Sequence, residues 1–371
     1  MKVLIDGNTL GNNRAGIGNY TYCLLQEIGR LCPEDISISV AIRKKVWHTI
    51  PGELNFKGIA MIRSGERSFA KYLPFATPDY RGHDLYHEPN YVPRAFSGKT
   101  VITIHDMSHR LFPQYHPWKR VLKLKYYERT MRRATKIITV SQNSKNEILD
   151  ILKVPEEKVA VIYEGALDIY RPLKLSEPLT GEVRELYKLP EQFILYVGTI
   201  EPRKNLARLI EAFWMYKQQR KSSGVKLVLA GGKGWLYENI FNRVRELKME
   251  KDVHFTGYVN DEHLPLLYNM ALAFVYPSIY EGFGLPPLEA MSCGTPVITS
   301  NTSSLPEVVG DAGIRVNPHQ TEQLAEAIHK VLDTEAVRAE LSQRALLQAA
   351  KFSWEKCARE TLQIYRECLT N

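Results

Sequence analysis

Cysteine is sparse and unpatterned in this chain. Its five cysteines, Cys23, Cys32, Cys293, Cys357 and Cys368, include no C-x-x-C pair. The odd count and wide spacing exclude a disulfide framework and a zinc ribbon, and point to a reducing cytosol. Long hydrophobic runs are missing too: no apolar stretch approaches the roughly 20 residues that cross a bilayer. The opening MKVLIDGNTL is too short and too polar for a signal peptide and suits a first β-strand. Low-complexity segments and short repeats are absent. What remains is a globular composition, 44% hydrophobic and 24% charged, over 371 residues, which is long enough for two domains.

Charge is distributed unevenly. Residues 1–168 hold 25 Lys and Arg against 17 Asp and Glu, whereas residues 169–371 hold 24 of each. The whole net charge of +8 therefore lies in the first half, which is expected to meet an anionic partner.

The pattern along the chain is βα repetition. Runs at 3–6, 36–42, 59–62, 101–105, 137–140 and 159–163 read as strands, with helical stretches at 20–31, 118–133 and 144–152 between several of them. Most runs are continuously apolar, which points to parallel strands covered on both faces. Residues 168–190 contain Pro172, Pro178, Gly181 and Pro190 and little strand pattern, so 171–190 is expected to link two domains, 1–170 and 191–353. Strands resume at 193–197, 226–230, 253–256, 273–276, 297–299 and 314–316, and a last helix is expected from residue 354. The fold class is α/β, two Rossmann-like domains in tandem. Ligands of such sheets bind beyond the carboxyl ends of the strands.

One segment carries most of the functional information: Tyr280-Glu281-Gly282-Phe283-Gly284-Leu285-Pro286-Pro287-Leu288-Glu289-Ala290-Met291, followed by Ser292-Cys293-Gly294-Thr295-Pro296-Val297. Pro286 and Pro287 suit a first helical turn, where a missing N–H costs little. Glu281 then lies in the loop before a helix and Glu289 about one turn into it. The amides of Phe283, Gly284 and Leu285 lie at the helix start, a place that favours phosphate. Sugar hydroxyls suit the two carboxylates. The segment resembles the E-x7-E signature of the retaining GT-B glycosyltransferases of family 4. The resemblance implies that Glu281 contacts the transferred sugar and Glu289 the ribose of a nucleotide-sugar donor.

Other loops fit the same resemblance. Arg203 and Lys204, in V-G-T-I-E-P-R-K-N, are cations at a helix start, an unfavourable place unless an anion joins them; the family's donor-diphosphate loop is similar. Gly231 lies in A-G-G-K-G after a strand and either admits the base or turns the chain. Gly16 and Gly18, in R-A-G-I-G-N-Y-T, resemble the family's glycine-rich first loop; the run lacks the full dinucleotide fingerprint, so NAD is not indicated. His105, in V-I-T-I-H-D, ends a strand and resembles the histidine that contacts the transferred sugar, with Asp106 placed to orient it or to meet acceptor. His87-Glu88-Pro89 ends another strand on the expected acceptor side. The five histidines between 83 and 116 do not make a zinc pattern, since Asp106 rather than Glu follows His105. No D-x-D occurs, the metal motif of the other large glycosyltransferase fold. No metal and no cofactor are expected.

The resemblance implies a GT-B fold with acceptor on the N-terminal domain, donor on the C-terminal domain, and the helix 354–371 returning to the first. The text looks most like bacterial mannosyltransferases of O-antigen or exopolysaccharide assembly. That implies GDP-mannose first and a UDP-sugar second, with a glycan acceptor held on a lipid. Rival readings are a GT-B sugar-nucleotide epimerase and a non-catalytic sugar-nucleotide-binding protein. Basic and aromatic residues mix at 43–47, 63–72 and 118–133, which suits peripheral contact with an anionic membrane. No nucleic-acid motif accompanies the charge.

Overall fold

The computed structural model describes residues 1–11, 16–49, 56–64, 82–93, 96–220 and 223–370. The chain divides into two compact units, Met1–Gly165 with Ser353–Asn371, and Ala166–Phe352.

Among the described residues, the first unit holds seven parallel strands. These are β1 (Lys2–Asp6), β2 (Ser37–Arg43), β3 (Ile59–Ser64), β4 (Leu85–Glu88), β5 (Lys99–Ile104), β6 (Lys136–Thr139) and β7 (Val159–Val161), ordered β3-β2-β1-β4-β5-β6-β7. The apolar runs are continuous because both faces are covered: β4 is buried throughout, and β1 from Val3 onward. Strand order reverses between β1 and β4. At such a point the connections leave to opposite faces and open a crevice beyond the strand ends, here at Asp6 and Glu88.

Helices α1 (Gly16–Leu31), α2 (Trp118–Arg133) and α3 (Gln142–Leu152) cover this sheet. Helix α2 buries Val121, Leu124, Glu128 and Met131, one face at three- and four-residue spacing. Helix α3 starts where Ser141 Oγ accepts the Ser144 amide at 3.1 Å, and ends at Lys153 in the left-handed conformation. The C-terminal helix, Trp354–Thr370, packs along α1. Tyr365 places its hydroxyl 2.6 Å from His87 Nδ1, and Arg366 grips Asp35 at 2.8 and 2.9 Å. His87 was expected on the acceptor side. It is instead a core residue, with Nε2 at 2.8 Å from Thr103 Oγ1, and burial, with His105 nearby, pushes its imidazole down to about 3.

The second unit holds, among the described residues, β8 (Phe193–Val197), β9 (Lys226–Ala230), β10 (Val253–Gly257), β11 (Ala273–Tyr276), β12 (Val297–Ser300) and β13 (Ile314–Val316), all parallel and ordered β10-β9-β8-β11-β12-β13. Here the order reverses between β8 and β11, whose following loops carry Arg203, Lys204 and Glu281. Strands β8, β11 and β12 are buried along their whole length.

The expected linker is not a free connection. Residues 171–190 belong to the second unit, and the break falls between Gly165 and Ala166. Helix α4 (Glu177–Tyr187) occupies the segment, with Pro178 in its first turn, where proline starts a helix rather than breaking one. The segment is also fastened to its own unit: the Leu173 amide donates to Asn269 at 2.8 Å, and the Tyr170 and Tyr268 rings meet edge to face at 5.8 Å.

Candidate active site

In the second unit the β8 loop passes through a short 3-10 turn, Pro202–Lys204, before α5 (Leu206–Gln219). The β11 loop leads through Gly284 into α6 (Leu285–Ser292). Gly284 has φ +121, and a Cβ there would lie 2.9 Å from Leu305 Cδ2, so only glycine fits this helix entry. Ser303 and Ser304 hold the loop: Ser303 Oγ accepts the Glu281 amide at 3.0 Å, and Ser304 Oγ donates to the Glu281 carbonyl at 3.0 Å and to that of Phe283.

These two loops bring Arg203, Lys204 and Glu281 together. Arg203 Nη1 lies 3.0 Å from Glu281 Oε2, and Lys204 Nζ lies 2.6 Å from Glu281 Oε1. Tyr276 and Ser278 donate their hydroxyls to Oε1 as well, at 3.1 and 2.5 Å, and Arg203 also pairs with Glu201 at 2.9 Å. All four charged side chains are largely buried. Burial alone would raise the Glu281 carboxyl, but Arg203 and Lys204 outweigh it and hold the group down to about 2. Burial pulls Lys204 below the ordinary lysine value, against the opposing pull of Glu281. A carboxylate so firmly ionised, with both oxygens taken by donors, is a weak nucleophile and a weak base. It can fix the position of two cations and accept from a polyol.

Glu289 has the opposite environment. Burial pushes its carboxyl up to about 7, against hydrogen bonds from the hydroxyls of Tyr268, at 2.9 Å, and Tyr170. Phe283 is buried and packs edge to face on Phe352 at 5.9 Å. Gly231 is a packing glycine: its φ is +152, and a Cβ would meet the Gly198 carbonyl oxygen at 2.0 Å where the ends of β8 and β9 touch.

In the first unit, His105 follows β5 and is buried. Its Nε2 lies 3.0 Å from the Pro89 carbonyl and its Nδ1 3.4 Å from Glu164 Oε1. The Tyr20 ring meets it edge to face at 4.8 Å. Glu164, after β7, is thus the carboxylate facing Nδ1, a residue that the sequence reading passed over. Asp106 accepts from the amide and hydroxyl of Ser108 at 2.9 and 2.6 Å. Gly16 and Gly18 form the first turn of α1 rather than a loop; Gly16 is exposed and Gly18 buried. Arg14 and Ala15, and residues 65–72 of the basic run, lie outside the described residues.

Two family models match the chain, "Glycosyl transferases group 1" over residues 183–348 and "Glycosyltransferase Family 4" over residues 76–166. The O-antigen chain mannosyltransferase B of Escherichia coli is 39% identical over 298 residues, 79% of this chain and 76% of that one. The chain belongs to glycosyltransferase family 4. The serotype-specific mannosyltransferase WbdA of Escherichia coli is 28% identical over 91% of this glycosyltransferase, which spans 42% of that longer protein. Among solved structures, Anabaena Alr3699/HepE in complex with UDP-glucose superposes with a TM-score of 0.73 at 18% identity, covering 99% of this chain and 100% of the other, a likeness of fold. Among the described residues of the glycosyltransferase, no three His, Cys, Asp or Glu side chains gather to hold a metal ion.

The glutamates and cations of these loops are recognisable in the sequence, but the residues that hold them are not. Glu201, within the quoted T-I-E-P-R-K-N, carried the one available signal. Tyr276, Ser278, Tyr268 and Tyr170 carried none, because their spacing along the chain says nothing of where their hydroxyls point.

Proposed function

We propose that this glycosyltransferase transfers mannose from GDP-mannose to a lipid-linked glycan with retention of configuration and without a metal ion. The observation that carries the reading is the buried cluster of Arg203, Lys204 and Glu281 at the strand-order reversal of the second unit. Arg203 and Lys204 supply the positive charge that a departing diphosphate needs, the service a metal ion performs elsewhere. Glu281 contacts the transferred sugar, Glu289 binds the ribose, and the amides of Phe283, Gly284 and Leu285 take phosphate oxygens. The acceptor hydroxyl attacks the anomeric carbon on the face from which the diphosphate leaves. The bond from that carbon to the phosphate oxygen breaks, and a diphosphate oxygen takes the hydroxyl proton. Both Glu281 oxygens are held by donors, Oε1 by Lys204, Tyr276 and Ser278 and Oε2 by Arg203, which speaks against a glycosyl-enzyme intermediate on that residue. Mannose rests on the 39% identity to an O-antigen chain mannosyltransferase, and GDP is the nucleotide that the resemblance of the sequence implies. The UDP-glucose complex of the Anabaena fold relative supports a UDP-sugar as the second reading.

The reading includes peripheral contact with an anionic membrane through α2. Trp118, Leu122 and Tyr126 stand four residues apart on one stripe of that helix and are 67%, 56% and 77% exposed. Lys119, Lys125 and Arg129 lie beside them, which suits an interfacial helix among acidic headgroups. No helix among the described residues is long and apolar enough to cross a membrane.

The test is nucleotide release from a panel of GDP- and UDP-sugars in EDTA, with and without a bacterial lipid extract, followed by NMR of the new anomeric centre. GDP release from GDP-mannose that rises with the extract, survives EDTA and yields the α-anomer is the expected result. Inverted product, or loss of activity in EDTA restored by a divalent ion, would overturn the scheme. Co-sedimentation tests the membrane contact. Phosphatidylglycerol vesicles should capture the protein, phosphatidylcholine vesicles should not, and a Trp118→Ala, Leu122→Ala, Tyr126→Ala triple variant should lose at least about tenfold in binding.

A further inference from the structure

Glu289 lies about one turn into α6 and is half-buried. Two phenol hydroxyls are directed at its carboxylate. Tyr268, from the helix Leu264–Met270, donates to Oε2 at 2.9 Å, and Tyr170, from the segment leading into α4, donates to the same carboxylate. Both tyrosines are buried, Tyr268 completely. Each is anchored separately. The Tyr268 ring meets Phe274 of β11 edge to face at 5.3 Å, and its carbonyl accepts the Thr295 hydroxyl at 2.8 Å. Tyr170 is placed by Asn269, the residue after Tyr268. Asn269 donates to the Arg171 carbonyl at 3.0 Å and accepts the Leu173 amide at 2.8 Å, which clips the backbone just after Tyr170. Phenylalanine would fill the same space with no hydroxyl to satisfy, so packing alone does not call for tyrosine at either position.

The hydroxyls act on both the direction and the charge of Glu289. An ionised carboxylate offers about four acceptor sites. The two phenols take two, which leaves about two, the number of protons that a vicinal diol donates. Among the described residues, the titratable groups that face Glu289 are Tyr170, Tyr268, Asp261 and Cys293. Burial opposes ionisation of Glu289 and the charge of Asp261 adds to that; the two phenols favour it. Burial holds both phenols above the ordinary tyrosine value, so they stay protonated and remain donors. The Cys293 thiol, pushed up to about 12 by burial and by Glu289 beside it, stays protonated too.

We propose that Tyr170 and Tyr268 are positioning residues for the donor: their hydroxyls hold the Glu289 carboxylate so that its remaining acceptor sites meet the two hydroxyls of a ribose diol. The proposal rests on the reading of Glu289 as the ribose-binding residue. It adds which side chains present that carboxylate, and it gives a function to two buried hydroxyls outside the E-x7-E segment. Asn269 contributes at one remove, since it fixes the backbone that carries Tyr170.

Tyr170→Phe and Tyr268→Phe, made separately in the full-length protein so that either one suffices if the other fails to fold, test this in two ways. The first needs no ligand. Carbon-13 NMR follows the side-chain carboxyls of labelled glutamates through a pH titration, with Glu289 assigned by its absence from Glu289→Gln. In each variant the Glu289 midpoint should rise by about one pH unit, the worth of one hydrogen bond to a charged group. The second is isothermal titration with GDP, UDP and their 2′-deoxy forms. At pH 7 each variant should bind the preferred ribonucleotide about fivefold more weakly than native protein, and at pH 9, where Glu289 is ionised in all, within about twofold. A folded variant with an unmoved midpoint would overturn the proposal, as would a shortfall at pH 7 that persists undiminished at pH 9, the result that lost packing would give. Native protein that binds ribo- and 2′-deoxynucleotides alike, with the midpoint still moved in the variants, would remove the ribose reading of Glu289 and leave the hold of the two tyrosines on its carboxylate standing.

Discussion

Glu281→Gln removes one negative charge from between two buried cations and changes almost nothing in shape. Lys204 Nζ lies 2.6 Å from Glu281 Oε1, and both side chains are only about a tenth exposed. At an effective dielectric of about 20, a contact of that length is worth roughly 6 kcal/mol before desolvation. Arg203, at 3.0 Å, retains Glu201 at 2.9 Å in the variant, but Lys204 retains only neutral hydrogen-bond partners, the Tyr276 hydroxyl and the glutamine carbonyl oxygen. Breaking one side of a buried pair typically costs about 3–5 kcal/mol, and we expect the second unit of Glu281→Gln to lose that much. Lys204→Met leaves Glu281 with Arg203, Ser278 and Tyr276. It should lose less, about 1–3 kcal/mol. The double variant should therefore reveal a coupling of about 2–4 kcal/mol. Urea unfolding at pH 7.5, followed by circular dichroism with linear extrapolation, measures all four proteins. The pH dependence adds a sign. The folded Glu281 carboxyl, near 2, lies below its ordinary value of 4.5, so its stabilisation is complete above about 4.5 and declines as pH falls toward 2. The gap between native protein and Glu281→Gln should narrow over that interval. A Glu281→Gln protein within about 1 kcal/mol of native stability at pH 7.5, yet inactive, would refute this reasoning and make Glu281 a reacting group rather than the anchor of two cations.

Arg203→Ala should reduce kcat about 10²–10³-fold at saturating donor if its charge has the proposed role at the departing diphosphate; an effect confined to KM would contradict that role. Glu289 should give donor binding a pH dependence. Burial raises its carboxyl to about 7, so the ionised form, the one proposed to accept from ribose hydroxyls, is present above that pH and lost below it. Donor KM should be flat above about 7.5 and rise toward tenfold by pH 6, and Glu289→Gln should abolish the slope. Gly231→Ala should cost at least about 2–3 kcal/mol of stability, because its Cβ would sit 2.0 Å from the Gly198 carbonyl oxygen. Gly232→Ala, with nothing within 4 Å of the added carbon, should change stability by less than about 0.5 kcal/mol; thermal melts of the pair decide whether contact or glycine content matters.

The strands and the loops that follow them were legible in the sequence because their signals are local. Continuous apolar runs marked buried parallel strands such as β8 and β11, and Pro286 and Pro287 marked the first turn of α6. Arg203, Lys204 and Glu281 were legible as polar residues where such strands end, and Glu289 as a carboxylate one turn into the helix that follows. The same local reading failed at 171–190, where Pro178 starts α4 inside the second unit. It also failed at His87, whose polarity is met by Tyr365 from the C-terminal helix, 278 residues away. Strand order was not legible, since no residue of β8 specifies that β11 lies beside it, and that adjacency puts Glu281 between Arg203 and Lys204 from 78 and 77 residues away. The opposite environments of two glutamates eight residues apart, one held near 2 by cations and the other raised to about 7 by burial, were likewise set by neighbours from distant elements. A residue's propensity and periodicity are properties of its near sequence. Its charge state, its partners and the cavity it lines depend on what the fold packs against it.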